Sequence, residues 1–136
     1  MAKRRIFISF DHDDTDQVNG FLGLREIIDG VEFFNHKLDR RINSTDAEYV
    51  GRVIREEYIG PASVTVVLIG NRTAQSDWVK WEIAESVRQG KGILGIRLKG
   101  TNGAVPQGVP SNAVGDWQPE KFTGWIEWAY QNRKNS

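Results

Sequence analysis

Apolar residues along the chain switch repeatedly between an unbroken run and a helical spacing. Arg5-Ile6-Phe7-Ile8-Ser9-Phe10 is apolar at all but its first and fifth positions and predicts a buried strand. Val18, Phe21, Leu22, Leu24, Ile27 and Ile28 then recur on one helical face that ends before Gly30. Val31-Glu32-Phe33-Phe34-Asn35 predicts a second strand. Thr45-Asp46-Ala47-Glu48 has the form of a capping box, in which a hydroxyl and a carboxylate satisfy the free amides of a helix start. The helix it opens carries Val50, Val53, Ile54 and Glu57 and stops near Gly60-Pro61. Ser63 to Ile69 is β-branched or apolar almost throughout, as a central strand covered on both faces requires. Gly70 to Ser76 is a polar loop, and Asp77 to Gln89 predicts a helix stopped by Gly90. Ile93 to Leu98 predicts a fourth strand. Residues 99–119, rich in glycine and proline, are expected to be irregular with at most one short edge strand. Glu120 to Gln131 predicts a last helix bearing Phe122, Trp125, Ile126, Trp128 and Ala129.

Strand and helix thus alternate, which predicts an α/β fold: a flavodoxin-like three-layer sandwich with a central parallel sheet. Ligands on such sheets bind at the carboxyl ends of the strands. Residues 10–16, 35–45, 70–78 and 98–119 are therefore the segments in which to look for a site. Residues 1–136 are read as one domain, a length that suits one core. Composition narrows the chemistry. Eighteen basic residues balance eighteen acidic ones, which argues against nucleic acid or an anionic membrane as partner. The absence of cysteine removes disulfides and thiol nucleophiles, and with only His12 and His36 no metal site is expected. The basic start Met-Ala-Lys-Arg-Arg is followed by too short an apolar run for a signal peptide or a membrane span, so a cytoplasmic location is expected.

The first strand ends in Asp11-His12-Asp13-Asp14-Thr15-Asp16. Asp11-x-Asp13-x-Thr15 fits the first motif of haloacid-dehalogenase-type phosphatases, a nucleophilic aspartate followed by a general acid. The strand at 63–69, however, ends in Gly70-Asn71 where that chemistry needs a hydroxyl, and no later acidic pair is placed to hold magnesium. A phosphoacceptor receiver would need an aspartate at the end of the same strand, and none precedes Asp77, although Lys99 would suit it. Asp14, Thr15 and Asp16 also suit helix capping and the helix dipole. For Asp11, function and capping stay open.

The helix beginning at Asp77 is the more informative. At about 100° per residue, Val79, Ile83 and Val87 define its core-facing stripe. Trp81 and Glu85 are then expected toward solvent, where Trp81 would offer a contact surface or pack over a loop. Trp78, Glu82 and Ser86 share one edge of the stripe. A carboxylate at a core boundary beside an indole can be desolvated and aimed. An ordinary helical glutamate paired with Lys80 or Arg88 is the alternative.

These residues resemble a family. Ile6-Phe7-Ile8-Ser9-Phe10 with its acidic turn is similar to the first strand of TIR and TIR-like (Toll/interleukin-1 receptor-like) domains. Ser76-Asp77-Trp78 through Glu82 is similar to their third helix, where a tryptophan precedes the active glutamate by four residues. The Phe-Asp-His-Asp-Asp variant most resembles the prokaryotic group that includes the Thoeris antiphage proteins. The resemblance covers about residues 5 to 98. It implies cleavage of NAD at the nicotinamide–ribose bond to give an ADP-ribose-type immune signal, with Glu82 as the catalytic carboxylate. Phe10 and Trp78 would supply aromatic walls, Asp11 a polar contact, and Asn35 and His36 further pocket lining. NAD is then a substrate and no cofactor is needed. Assembly into a homo-oligomer on activation and a downstream effector acting through the product are implied partners. A non-catalytic module that uses the same fold to self-associate is the rival. The segment Asn35 to Arg41 lacks the glycine- and proline-bearing loop of eukaryotic TIR adaptors, so an adaptor-style interface is not expected. Arg40-Arg41 offers charge for a pyrophosphate or a solvated surface run.

Overall fold

A computed structural model describes residues 4–11, 31–33, 56 and 59–133. Its strands are β1 (Arg4–Phe10), β2 (Val31–Phe33), β3 (Val64–Ile69), β4 (Gly92–Arg97) and β5 (Val114–Gly115). Its helices are α1 (Asp77–Arg88) and α2 (Pro119–Gln131). Among the described residues the strands form one all-parallel sheet in the order β2-β1-β3-β4-β5. This is the flavodoxin-like order expected from the alternation of elements. The short edge strand anticipated in the glycine-rich stretch is β5. The helix expected between Val18 and Ile28 lies outside the described residues, as does nearly all of that expected between Thr45 and Gly60.

β3 sits at the centre because its sequence tolerates no water on either side. All six of its residues are buried. Val64, Val66 and Leu68 point to one face, where they join Ile6 and Ile8 of β1, Leu94 and Ile96 of β4, and Phe122, Ile126 and Ala129 of α2. Burying Phe122 and Ile126 fully contributes about 1.5–3 kcal/mol each. Trp117, Trp125 and Tyr130 close the margin of this core, which accounts for two of the five tryptophans. Val67 and Ile69 point to the other face and meet Val79 and Ile83 of α1 and Val109.

α1 carries start and stop signals at both ends. Ser76 caps it by accepting a hydrogen bond from the Val79 amide at 3.3 Å, and Asp77 places a negative charge in the first turn. At the far end Gly90 has a φ of 76°, the left-handed conformation that favours glycine. The Gly90 amide donates to the Val87 carbonyl at 3.0 Å and the Lys91 amide to the Ser86 carbonyl at 3.0 Å, the paired bonds of a Schellman motif. α2 begins with proline, whose missing amide costs nothing in a first turn. Among the described residues no helix is long and apolar enough to cross a membrane.

Candidate active site

The period of two along β1 sends Ile6, Ile8 and Phe10 toward α2, and Phe7 and Ser9 toward α1. Ser9 is thereby brought under α1 and is buried. Its Oγ donates a hydrogen bond to Glu82 Oε1 at 2.7 Å. Glu82 is 3% exposed, so its carboxylate is held by protein groups and lies one residue inside the carboxyl end of β1. A hydroxyl that donates to a carboxylate makes a charge-assisted bond, stronger than a bond between neutral groups.

A second polar contact follows one turn on. Ser86 donates to the Glu82 backbone carbonyl at 2.8 Å, and its oxygen lies 2.7 Å from Thr65 Oγ1 of β3. Because the Ser86 proton is committed to that carbonyl, Thr65 is the donor of the second bond. Ser9 and Thr65 on the sheet thus meet Glu82 and Ser86 on the helix, and all four side chains are buried.

These contacts turn the helix away from the orientation its apolar pattern predicts. Val79 and Ile83 are buried as expected, but Val87 is 41% exposed. Glu85, expected toward solvent, is buried; it pairs with Arg88 and accepts a hydrogen bond from Gln89 Nε2 at 2.8 Å. The pairing raises the Arg88 guanidinium above its ordinary value, chiefly through the hydrogen bond from Arg88 to Glu85. Trp81, also expected toward solvent, is half-buried, while its neighbour Trp78 is 42% exposed. Their rings meet edge to face at 5.6 Å between centroids. The physical reason is that Glu82 and Ser86 find hydrogen-bond partners among the hydroxyls of the sheet, so a mixed face packs as well as an apolar one.

The loops beside the site are tied to one another. Gly70 N donates to Thr73 Oγ1 at 2.7 Å, folding the chain after β3 into a short 3-10 turn at Thr73–Gln75. Asn102 N donates to Asn71 Oδ1 at 3.1 Å, and Thr101 Oγ1 donates to the Leu98 carbonyl at 2.7 Å. Gly103 packs against Gly70 and Asn71 so closely that a Cβ there would lie 2.1 Å from the Gly70 carbonyl oxygen. The carboxyl ends of β3 and β4 are therefore locked together.

Of the residues singled out from the sequence, Glu82 lies beneath the end of β1 and Trp78 stands exposed one turn before it. Asp11 follows β1 directly and is partly buried. Phe10 packs against the core on the α2 face, opposite the face that carries Glu82. Asn35, His36 and Asp13 lie outside the described residues. Ser9 was not singled out by the residue types. Its signal was a hydroxyl interrupting an otherwise apolar strand, in register with the face that α1 covers. Among the described residues no three His, Asp or Glu side chains converge in a way that could hold a metal ion.

No curated protein matches the chain. A family model described as Thoeris protein ThsB, TIR-like domain, matches residues 7–103. The match runs from within β1 to the loop after β4 and takes in Ser9, Asp11, Trp78 and Glu82. With the sheet order 2-1-3-4-5 and the conjunction of β1 with the glutamate of α1, the chain belongs to this defence-related family of TIR-like domains.

Proposed function

We propose that the protein cleaves NAD at the nicotinamide–ribose bond and releases nicotinamide and an ADP-ribose-type signal. The observation that carries this reading is the aimed carboxylate: Glu82 held by Ser9 at 2.7 Å, beneath the carboxyl end of the sheet and one turn after an exposed tryptophan. The chemistry needs little more. Nicotinamide leaves a cationic substrate as a neutral ring, taking the electrons of the C–N bond, so no general acid is required. Positive charge develops on the ribose, as in glycoside hydrolysis, and a nearby carboxylate stabilises it. Water then captures the ribose carbon and loses a proton, or a nucleophile within the substrate closes a ring. Trp78 supplies an aromatic face, and Asp11 a polar contact at the strand end.

Burial of Glu82 bears on regulation. A ribose reaches this carboxylate only once its covering groups move, which suits a protein that turns on when copies assemble. The signal then acts through a separate effector. A phosphatase built on Asp11 and Asp13 is disfavoured, because the family match spans both residues.

A second reading, a non-catalytic self-association module, draws on the same burial: a carboxylate so enclosed and already bonded to Ser9 also serves as a fold determinant. Incubating the protein with NAD, dilute, concentrated and in lysate of infected cells, and following nicotinamide separates the two. Release that rises with assembly supports the enzyme. No release in any of these states leaves the module.

A further inference from the structure

A groove of about 420 Å³ lies at the opposite end of the sheet from Glu82, and it is independent of the NAD reading. Its floor is the start of β4, at Gly92 and Ile93, and its walls come from the ends of α1 and α2. Val87 and Trp128, 41% and 40% exposed, are two of its apolar walls. Both are large apolar side chains left facing water, and a concave apolar surface of this size suits a small molecule.

The polar part of the groove is one-sided. Among the described residues that line it, Lys91 and Arg133 carry charge and none is acidic. Lys91 Nζ donates to the Gly60 carbonyl at 2.8 Å, and Arg133 donates to the Tyr130 carbonyl at 2.6 Å while lying 3.8 Å over the Tyr130 ring. Each therefore has donors to spare, and among the described residues no carboxylate pairs with either. The two cations also repel: burial, and then Arg133, push the Lys91 ammonium below its ordinary value. The carboxyl ends of α1 and α2 lie nearby and contribute about half a negative charge each. Among the described residues, two full positive charges against these partial ones leave an excess near +1.

We infer that this groove is a second binding site, for a small aromatic monoanion whose ring lies against Trp128, Val87 and Ile93 and whose anionic group bridges Lys91 and Arg133. The apolar walls set the flat body, and the two cations with their spare donors set the charge. One carboxylate neutralises the excess, whereas a neutral or cationic analogue leaves the repulsion in place.

The test uses 2-naphthoate, with 2-naphthamide as the neutral isostere, titrated into the full chain. Binding is read by calorimetry and by the shift of the Trp128 indole N–H in NMR spectra. The expected result is saturable naphthoate binding that moves this signal, with the amide weaker by about tenfold or more, as a charge-assisted contact implies. Lys91→Gln and Arg133→Gln each weaken naphthoate binding and narrow its advantage over the amide. Both side chains are partly exposed, and a cooperative melt confirms that each variant folds. Equal binding of acid and amide, no saturable binding, or binding unaffected by either substitution overturns the proposal. So does a Trp128 signal that shifts with protein concentration alone, which would make the groove an interface between copies.

Discussion

Ser9 Oγ donates to Glu82 Oε1 at 2.7 Å, joining two residues 73 positions apart in sequence. The bond fixes the first strand to the helix that follows the central strand, and it sets the direction of the carboxylate. Ser9→Ala removes the donor and leaves a buried acceptor without this partner. The expected cost is about 1.5–3 kcal/mol, the range for a hydrogen bond to a charged group. Urea unfolding at neutral pH measures it, and a loss within error of zero would show that the bond contributes nothing.

The neighbouring pair gives an asymmetric prediction. Thr65 donates to Ser86, and Ser86 donates onward to the Glu82 carbonyl. Ser86→Ala strands the Thr65 hydroxyl, at about 1–3 kcal/mol, while the Glu82 carbonyl keeps its amide partner within the helix. Thr65→Val removes only the first donor and leaves Ser86 bonded, so it is the milder change. The double variant costs less than the sum of the two. Stability measured for the three variants checks the order, and a costlier Thr65→Val would reverse the assigned direction of the bond.

Two glycines are expected to respond in opposite directions. A Cβ at Gly103 meets the backbone of Gly70 and Asn71, which cannot swing aside as a side chain would. Gly103→Ala should cost about 1–3 kcal/mol and loosen the joint between the loops after β3 and β4. Gly124 sits within α2 with nothing within 4 Å of its would-be Cβ. Gly124→Ala should stabilise by about 0.5–1 kcal/mol, the difference in helix propensity. Thermal melts of both variants provide the comparison.

The parts of this architecture legible in the sequence are those governed by one rule at a time. The unbroken apolar run of Val64 to Ile69 specifies a strand buried on both faces, and Ser76 and Gly90 bracket α1 by capping chemistry alone. The rotation of α1 was not legible. A helical wheel counts Val87 as core and Glu85 as surface because it has no knowledge of what the sheet presents. The hydroxyls of Ser9 and Thr65 belong to strands far away in sequence, and they decide which face turns inward. Trp78 and Trp81 exchange their expected exposures for the same reason. Glu82 stood out from its place beside Trp78 and from the family resemblance, whereas its partner Ser9 required the strand register.

Lys91 adds a dependence on pH. Burial and the charge of Arg133 lower its pKa in the folded chain below the ordinary lysine value of 10.5. Between the folded and unfolded values the unfolded chain binds more protons, so this residue's contribution to stability rises with pH as 10.5 is approached. Below the folded value the ammonium is charged in both states, and its burial and repulsion weigh constantly against the fold. Lys91→Gln should therefore flatten the alkaline rise, and Arg133→Gln should shrink it. Urea unfolding across the alkaline range tests both, and identical slopes in wild type and Lys91→Gln would contradict the assignment.

The central claim is that the Glu82 carboxylate acts on NAD. Its most direct test is the rate of nicotinamide release by assembled wild type and by Glu82→Gln, with both proteins shown to melt cooperatively. The substitution keeps the size of the side chain and removes its charge. The account predicts release by wild type and a loss of at least about a hundredfold in the variant, as expected when the group that stabilises developing charge is neutralised. Equal release by the two proteins would contradict it.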